Sequence, residues 1–476
     1  MKNVFFIACF TFVFSLFFNI PAVFSINKTT DEDQIALEVT VYNSNIGLVK
    51  DTRIIPLEKG EGELRFMDVA AHIIPQTVYV TSLDYPDDFN VLEQNYEYDL
   101  ISQEKLLDKY LGKKIKIIDD NKFQDRKDTI EATLLSNNMG EVYKINDEIY
   151  LGHPGIKVLP EIPENLIAEP TLMWLYETTR TAQQKIEASY LTNNINWKAD
   201  YVVVLKSDDT VADLSGWVTI DNKSGTTYKN SSLKLVAGDI NRVIDERMRY
   251  KDQILSRELA AVPAGSGFEE EAFFEYHLYD LQRKTTVKNN QTKQIRLLQV
   301  HDIQCTKDFR VYGRQNWYYS QYNRQDPRQA VEVYFLFMNS EENKLGMPLP
   351  AGVMRLYKKD SKDSQQFIGE DRIKHTPRDE KVELKIGEAF DIVAERRQMD
   401  YKRITTKLFE SEWELTLRNH KKEAVTVSII EPVSGNWKVI SNSHPFVKKD
   451  AFHIQFDVQL NPDEEVKVKY RLQVGV

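Results

Sequence analysis

Apolar and polar residues alternate one by one through the C-terminal third of this 476-residue chain. The apolar positions of four such runs are Val382, Leu384 and Ile386; Trp413, Leu415 and Leu417; Phe452, Ile454, Phe456 and Val458; and Val466, Val468, Tyr470 and Leu472. Since successive side chains of a strand point to opposite faces, each run has one apolar and one wet face. The pattern predicts an antiparallel β-sandwich, and its strand spacing favours an immunoglobulin-like module.

Shorter runs of the same kind fill most of the preceding sequence, with Gly, Pro, Asp and Asn at the breaks. Because 476 residues exceed what one hydrophobic core holds, we expect several domains. The fold class predicted is mainly β, with several antiparallel sandwich or barrel domains and a few short helices. The predicted parts are a signal peptide at 1–25, an N-terminal β domain at 26–100, a short helix with a small barrel-like insert and a Pro-rich linker at 101–170, a central β-sandwich at 171–378, and the immunoglobulin-like sandwich at 379–476.

One short segment before the insert departs from the strand pattern. Leu106, Leu107 and Tyr110 recur at helical spacing. Ser102 can cap the start of a helix here, and Gly112 can end it. The sequence therefore predicts a helix over 102–110.

A second departure lies inside the central domain. Residues 244–261 are rich in Arg, Glu, Met and Leu, and they run into a stretch with Pro and Gly at 262–267. We interpret 244–272 as a mobile or helical crossing between sheet halves.

The first 25 residues have the features of a secretory signal peptide. Lys2 precedes an almost wholly apolar run at 4–20, and Pro21 follows it. Val23 and Ser25 are small enough for the positions that signal peptidase reads, so we predict cleavage after Ser25. The protein is then exported, to the periplasm or the cell exterior. The alternative is an uncleaved segment that anchors the chain in the membrane.

Charge and cysteine usage narrow the class of protein further. The chain has 62 Lys and Arg against 72 Asp and Glu, a net charge of −10, and loss of Lys2 with the leader makes it more negative. Nucleic acid is therefore excluded as a general partner, although a local basic patch stays open. Of the two cysteines, Cys9 lies in the leader, so Cys305 has no partner for an intramolecular disulfide after cleavage.

No spacing in the sequence announces a familiar active site or metal centre. The zinc-protease, nucleophile-elbow and phosphate-loop motifs are absent. His301 lies four residues before Cys305, which on a strand separates the two side chains by roughly 13 Å. A buried thiol is the favoured interpretation. The acidic stretch at 119–128 lacks the glycine and terminal glutamate of a calcium loop. We therefore predict no metal, cofactor or catalytic residue, and favour a protein that is not an enzyme.

Residues 310–328 combine aromatic and basic side chains. The candidate binding residues here are Arg310, Tyr312, Arg314, Trp317, Tyr318, Tyr319 and Tyr322. Exposed rings can stack on sugars, and guanidinium groups bind uronate or phosphate. The structural alternative, a hairpin whose aromatic rings fill a domain interface, is the favoured one.

Residues 369–397 form a second candidate segment, in which charges of both signs lie close together. Its candidate binding residues are Glu370, Asp371, Arg372 and His375. If their strands pair with the strand that carries Glu395–Arg397, a cross-strand ion network forms, and a cleft is possible there. Opposite charges on neighbouring strands are also common structural features, so the structural interpretation is favoured here too.

Several stretches resemble a bacterial exported family, the domain of unknown function 4139, one branch of which is called mucoidy inhibitor A-like. They are NWKADY at 196–201, GW at 216–217, LKLVAGDIN at 233–241, EYHLY at 275–279, TKQ at 292–294, LPAG at 349–352, FIGED at 367–371 and RNH at 418–420. The resemblance covers about 184–476 and implies an exported β protein, but it supplies no catalytic residues. Many relatives carry a long coiled coil between two halves, and this sequence has no such heptad run.

Three functions follow from these features. The favoured one is a non-enzymatic cell-envelope module that binds another protein or a surface polysaccharide. One alternative is a hydrolase with a cleft between domains near Asp371 and His375. The other is a structural spacer without a specific ligand.

The leader generates the first testable prediction. Mass spectrometry of the protein recovered from expressing cells should show a mature N-terminus at Ile26, because the cleavage site ends at Ser25. A chain that keeps its first residues and sediments with membranes would instead identify an anchor.

Overall fold

A computed structural model describes residues 25–97, 102–121, 126–138, 140–163, 169–238, 240–241, 268–273, 276–322, 326–362, 364–433 and 435–475. These residues are mainly β, as the alternation predicts. Residues 1–24 of the predicted leader and most of the predicted crossing at 244–272 lie outside them. Among the described residues, no helix has the length and apolar composition that crossing a bilayer requires.

The first half of the chain contributes thirteen described strands and the one described α-helix. In chain order the elements are β1 (Ser25–Thr29), β2 (Gln34–Tyr42), β3 (Ile46–Leu57), β4 (Gly60–Phe66), β5 (Tyr79–Ser82), β6 (Phe89–Glu97), α1 (Gln103–Lys109), β7 (Lys114–Asn121), β8 (Arg126–Ser136), β9 (Val142–Ile145), β10 (Glu148–Leu151), β11 (Ile156–Val158), β12 (Thr171–Thr178) and β13 (Ala182–Asn193). Short 3-10 helices occupy Asp31–Asp33, Pro75–Thr77 and Pro86–Asp88.

Among the described residues that follow, the regular elements are strands and one 3-10 helix at Gln315–Tyr318. The strands are β14 (Ile195–Leu205), β15 (Val211–Asn222), β16 (Tyr228–Ala237), β17 (Phe268–Phe273), β18 (Tyr276–Leu281), β19 (Thr285–Val287), β20 (Gln291–Tyr312), β21 (Arg328–Gln329), β22 (Glu332–Met338), β23 (Gly352–Lys359), β24 (Gln365–Ile373), β25 (Lys381–Glu388), β26 (Ile392–Arg403), β27 (Leu408–Asn419), β28 (Val425–Pro432), β29 (Trp437–Asn442), β30 (Val447–Lys448), β31 (His453–Leu460) and β32 (Glu465–Gly475).

The first compact unit combines Met1–Ala36, Asp51–Ala71 and Tyr79–Ala188. One of its sheets has the strand order β1-β4-β12-β6. The predicted insert is a separate sheet of order β10-β9-β8-β7-β11 with its own apolar core.

The helix predicted over 102–110 is confirmed, and a tight hairpin turn joins two strands of the insert. Ser102 caps α1 by accepting a hydrogen bond from the backbone N–H of Lys105 at 3.2 Å. Leu107, on the apolar face of α1, is buried. Asn146 and Asp147 have φ values of 48° and 66° between β9 and β10. Asn and Asp tolerate this left-handed backbone better than other side chains, which suits a tight hairpin turn.

The second unit combines Leu37–Lys50, His72–Val78 and Ser189–Val476. Its longest sheet has the order β24-β23-β14-β15-β20-β28-β31-β30. In the part that carries the candidate site, β14 pairs antiparallel with β15 and parallel with β23. β15 continues antiparallel to β20, and β23 to β24.

Buried side chains of β14 hold this sheet to its surroundings. The indole N–H of Trp197 donates to the carbonyl of Val236 at 3.1 Å, and the hydroxyl of Tyr201 donates to the carbonyl of Pro350 at 2.8 Å. Gly352 lets β23 approach closely, because a Cβ atom there would lie 2.3 Å from the carbonyl oxygen of Ala199.

The C-terminal strands form a two-sheet sandwich around one apolar core. One sheet has the order β21-β26-β27-β32-β29. The other is the β20-β28-β31-β30 end of the longest sheet. Trp413, Leu415 and Leu417 of β27 are fully buried in the shared core, as the alternation predicts. The immunoglobulin-like topology stays a prediction.

A buried ion pair crosses this core. The Arg396 guanidinium lies 2.6 Å from the Glu431 carboxylate, and neither side chain is exposed. Arg396 also donates to the Tyr470 hydroxyl at 2.6 Å, and its guanidinium carbon lies 5.2 Å from the ring centroid of Trp317. A charge in an apolar core is tolerated only when it is paired in this way.

We predict that Arg396→Met lowers the free energy of unfolding by about 3–5 kcal/mol, because Glu431 is left charged and unpaired in the core. Urea denaturation followed by tryptophan fluorescence measures the change. The adjacent Arg397→Met is the control, since Arg397 is 63% exposed and its surface ion pair contributes about 1 kcal/mol or less. Equal losses in the two variants would contradict a structural role for the buried pair.

Candidate functional site

Residues 310–328, the first candidate segment, place most of their described aromatic side chains in or against the core of the C-terminal sandwich. Trp317 and Tyr318 are buried, and both rings pack against Trp413, with centroids 6.2 and 5.9 Å away. Tyr319 and Tyr322 are partly buried against the same core. Stacking on a sugar needs an exposed ring face, which the two buried rings do not offer in this conformation. The binding role of this segment stays a prediction, and the contacts seen are those of core packing.

The basic residues of that segment differ in exposure. Arg310 is buried, and its guanidinium donates to Asp308 at 2.8 Å and to Glu383 at 2.9 Å. Arg314 is exposed, with its guanidinium carbon 5.8 Å from the Trp317 ring centroid. The backbone carbonyl of Tyr312 accepts a hydrogen bond from Gln329 at 3.2 Å. The charge of Arg310 is therefore matched within the protein.

The second segment does not converge on one point. Glu370 and Arg372 share one face of β24, while the Asp371 carboxylate turns to the other side and accepts from the backbone N–H of Lys385 at 2.8 Å. His375 follows the end of β24, where its Nδ1 accepts from the backbone N–H of Ala351 at 3.2 Å. The structure thus brings only two of the four predicted residues together.

The two halves of this segment do not pair with each other. β24 pairs with β23, whereas β26, which carries Glu395–Arg397, pairs with β27 and β21 in another sheet. The charges of β26 therefore meet other partners, such as Arg418 beside Glu395. Charge composition does not reveal which strands pair, because strand pairing depends on the apolar faces that pack together.

Glu370 and Arg372 belong to a larger surface, which we call the outer face. It is the side of β24, β23, β14, β15 and β20 opposite the face that buries Trp197 and Tyr201. Arg296 and Arg372 are exposed on this side, whereas Asp200 at its centre is buried. Strand register aligns five of its side chains in one row across the sheet. In order the row is Arg372, Val353, Asp200, Trp217 and Arg296. At the usual strand spacing the row spans about 19 Å.

Hydrogen bonds hold the middle of the outer face in place. The Asp200 carboxylate accepts from the Thr219 hydroxyl at 2.8 Å and from the Arg355 guanidinium at 3.2 Å. The same guanidinium lies 3.2 Å from the Glu370 carboxylate, and Gln294 donates to Thr219 at 3.1 Å. Five strands are thereby joined by one polar network, and its central residues, Asp200 and Thr219, are buried.

Aromatic rings flank this network. Trp217 is partly exposed, and the guanidinium carbon of Arg296 lies 5.5 Å from its ring centroid. Tyr357 and Phe367 form an edge-to-face pair with centroids 5.5 Å apart, and Phe367 is 56% exposed. Partly exposed aromatic and arginine side chains are the types enriched where proteins bind partners.

Sequence reasoning missed Asp200, Trp217, Arg296 and Arg355 as site residues. A signal for Asp200 was present, because the stretch 196–201 alternates between polar and apolar positions and Asp200 is on the polar side. Trp217 gave no such signal, since a large ring at a strand position is more often a core residue.

The remaining sequence predictions concern the Cys305 thiol and metal binding. Cys305 is buried, as predicted. Burial is the main cause that raises the pKa of its thiol to about 12, and the negative charges of the nearby Asp208 and Asp209 raise it further. Within the described residues, no group of three or more His, Cys, Asp or Glu side chains is arranged to hold a metal ion. Asp125 of the acidic stretch lies outside the described residues.

Comparison with protein-family models identifies a match to this chain. A family model described as "Domain of unknown function (DUF4139)" matches residues 186–475. This range contains the whole outer face and the C-terminal sandwich. No curated protein matches the chain.

The Arg310 ion pair predicts a pH dependence of stability. Hydrogen bonding to Arg310 lowers the pKa of the Glu383 carboxyl from 4.5 to about 2. A lowered pKa in the folded state stabilises the fold above the unfolded-state pKa. The stability difference between the wild-type chain and Glu383→Gln should therefore be full above about pH 5 and be lost as the pH falls toward and through about 2.

Urea denaturation at a series of pH values from 2 to 7 measures this difference. Glu388→Gln is the control, because Glu388 is an exposed residue of the same strand. A difference between wild type and Glu383→Gln that does not change with pH would contradict the ion-pair interpretation.

Proposed function

Because this chain belongs to the DUF4139 family through residues 186–475, and that family carries no assigned activity, we propose a function from the outer face itself. The protein is a non-catalytic binding module of the cell envelope, and the outer face binds a surface polysaccharide. The row from Arg372 to Arg296 is the observation that carries the proposal.

The row has the chemistry that an extended, partly acidic sugar chain needs. Trp217 offers ring surface for stacking against a sugar. Arg296 and Arg372 lie at the two ends, and neither has an ion pair among the described residues. Guanidinium groups bind uronate or phosphate groups in a bidentate manner. A straight row on a stiff sheet suits a polymer better than a compact small molecule, which usually binds in a concave pocket.

The carboxylates of the outer face support binding rather than hydrolysis. Asp200 and Glu370 both bind the one guanidinium of Arg355, so this cation occupies the position between them. A glycosidase keeps the space between its two carboxylates for the glycosidic bond. The arrangement seen is that of a cross-strand ion network.

The location that we propose follows from the leader. A surface polysaccharide lies outside the cytoplasm, and the features of residues 1–25 are those of an export signal. Export followed by cleavage near Ser25 would place the outer face in the compartment that holds such polymers.

The proposal predicts that Trp217→Ala weakens polysaccharide binding about tenfold or more, because it removes the stacking surface in the middle of the row. A glycan array of bacterial surface polysaccharides first identifies a bound polymer, and biolayer interferometry then gives its dissociation constant. Arg296→Gln should weaken acidic polymers selectively, and added salt should reduce the effect of that substitution.

Trp437→Ala provides a matched control. Trp437 is also partly exposed beneath a cation, with the Lys448 ammonium 5.2 Å from its ring centroid, but it lies in another sheet. Polymer affinity that is lost equally in both tryptophan variants, or in neither, would overturn the proposal. Absence of binding to every polymer in the array would favour the structural spacer.

A further inference from the structure

A polar pocket of about 470 Å³ lies in the second unit. Its lining side chains are all hydrophilic: Asn45, His72, Asn194, Asn196, Asp221, Lys223 and Asn290. Pockets of this volume bind small molecules, but they are ordinarily lined by apolar groups. The unusual lining therefore limits which ligand the pocket suits.

Tight turns build the wall of the pocket. Asn45, Asn194 and Asn290 follow β2, β13 and β19 and have φ values of 58°, 63° and 53°. Asparagine is among the few side chains that adopt this left-handed conformation at low cost. The turns thus explain why amide groups gather here, since each turn needs a residue of this type.

Asn196 gives an independent indication of a ligand. Its side-chain oxygen Oδ1 is buried and has no hydrogen-bond partner among the described residues. A buried acceptor without a donor costs free energy, and native proteins rarely leave one unmatched. Because Asn196 lines the pocket, a turn of its amide group would present this oxygen to a ligand hydroxyl or N–H, which would supply the missing donor.

The charges of the pocket favour a neutral ligand. Asp221 is paired with Lys223 at 3.0 Å, so the one carboxylate of the lining already has its counterion. An anion would call for arginine donors, and a hard cation would call for several carboxylates. Amide groups both donate and accept, which matches hydroxyl groups that do the same.

We propose that this pocket binds one neutral sugar unit. The proposal rests on the proposed function for the source of that sugar, which would be an end or a branch of the bound polysaccharide. Asn196 and Asp221 occupy the strand positions that continue the outer face from Asp200 and Trp217. Four residues of strand separate the two places, roughly 13 Å. One polymer can therefore reach both.

Saturation-transfer NMR and calorimetry with glucose and N-acetylglucosamine test the pocket, with glucuronate and inorganic phosphate as anionic probes. The wild-type chain should bind a neutral sugar saturably. Asn196→Leu should weaken it about three- to tenfold, the loss expected for one uncharged hydrogen bond. Asn95→Leu in β6 is the control, because Asn95 is an exposed strand residue far from the lining in sequence.

Asn290→Gly is a second pocket variant, chosen because the substitution should not disturb folding. Glycine accepts the left-handed φ of this turn, so the change removes an amide from the pocket without straining the backbone. It should weaken sugar binding to a similar extent. Neutral-sugar affinity that is unchanged in both pocket variants, or binding of the anionic probes alone, would overturn the inference.

Trp217→Ala separates this inference from the proposed function. It should weaken polysaccharide binding and leave unchanged the free-sugar binding that Asn196→Leu and Asn290→Gly weaken, because Trp217 is not part of the lining. A polymer that ignores Trp217 would overturn the proposed function, while the sugar titrations would still decide the pocket.

Discussion

The pleat of β14 is the constraint on which the candidate site depends. Neighbouring side chains of a strand must point to opposite faces, so one short stretch performs two tasks. Trp197 and Tyr201 point inward and hydrogen-bond to backbone carbonyls of Val236 and Pro350. Asn196 and Asp200 point outward to the pocket and the row. Fixing the inward-pointing half of the stretch therefore fixes the position of the outward-pointing half.

Several of the stretches that resemble the family lie close together in the folded chain. The inward residues of several stretches meet in one buried region, where the Tyr279 hydroxyl donates to the carbonyl of Pro348 at 3.0 Å and the Trp197 and Tyr279 rings are in contact. The outward residues meet on the outer face. Buried hydroxyl and indole groups that find a partner stabilise a unique arrangement, since an unpaired one is costly.

Buried charge in this chain follows the same rule of pairing. Arg396 lies in an apolar core with Glu431, and in the first unit Arg53 is equally buried with Asp51 at 2.8 Å. Both guanidinium groups also lie over aromatic rings, Arg53 over Phe66 at 3.7 Å. Aromatic and basic residues in one segment therefore mark either a binding surface or a packed core. The segment at 310–328 is largely the second kind, and the outer face has the composition of the first.

The amino-acid sequence by itself determined the features that depend on local periodicity. The mainly β fold follows from alternation, α1 from the spacing of its apolar residues and the Ser102 cap, and the Asn146–Asp147 turn from the backbone that these residues tolerate. Tertiary structure alone decided which strands are neighbours. Trp317 is buried while Trp217 is partly exposed, and Arg372 aligns with Arg296 across five strands. Register between strands far apart in the chain depends on how whole apolar faces pack, and no local pattern contains that information.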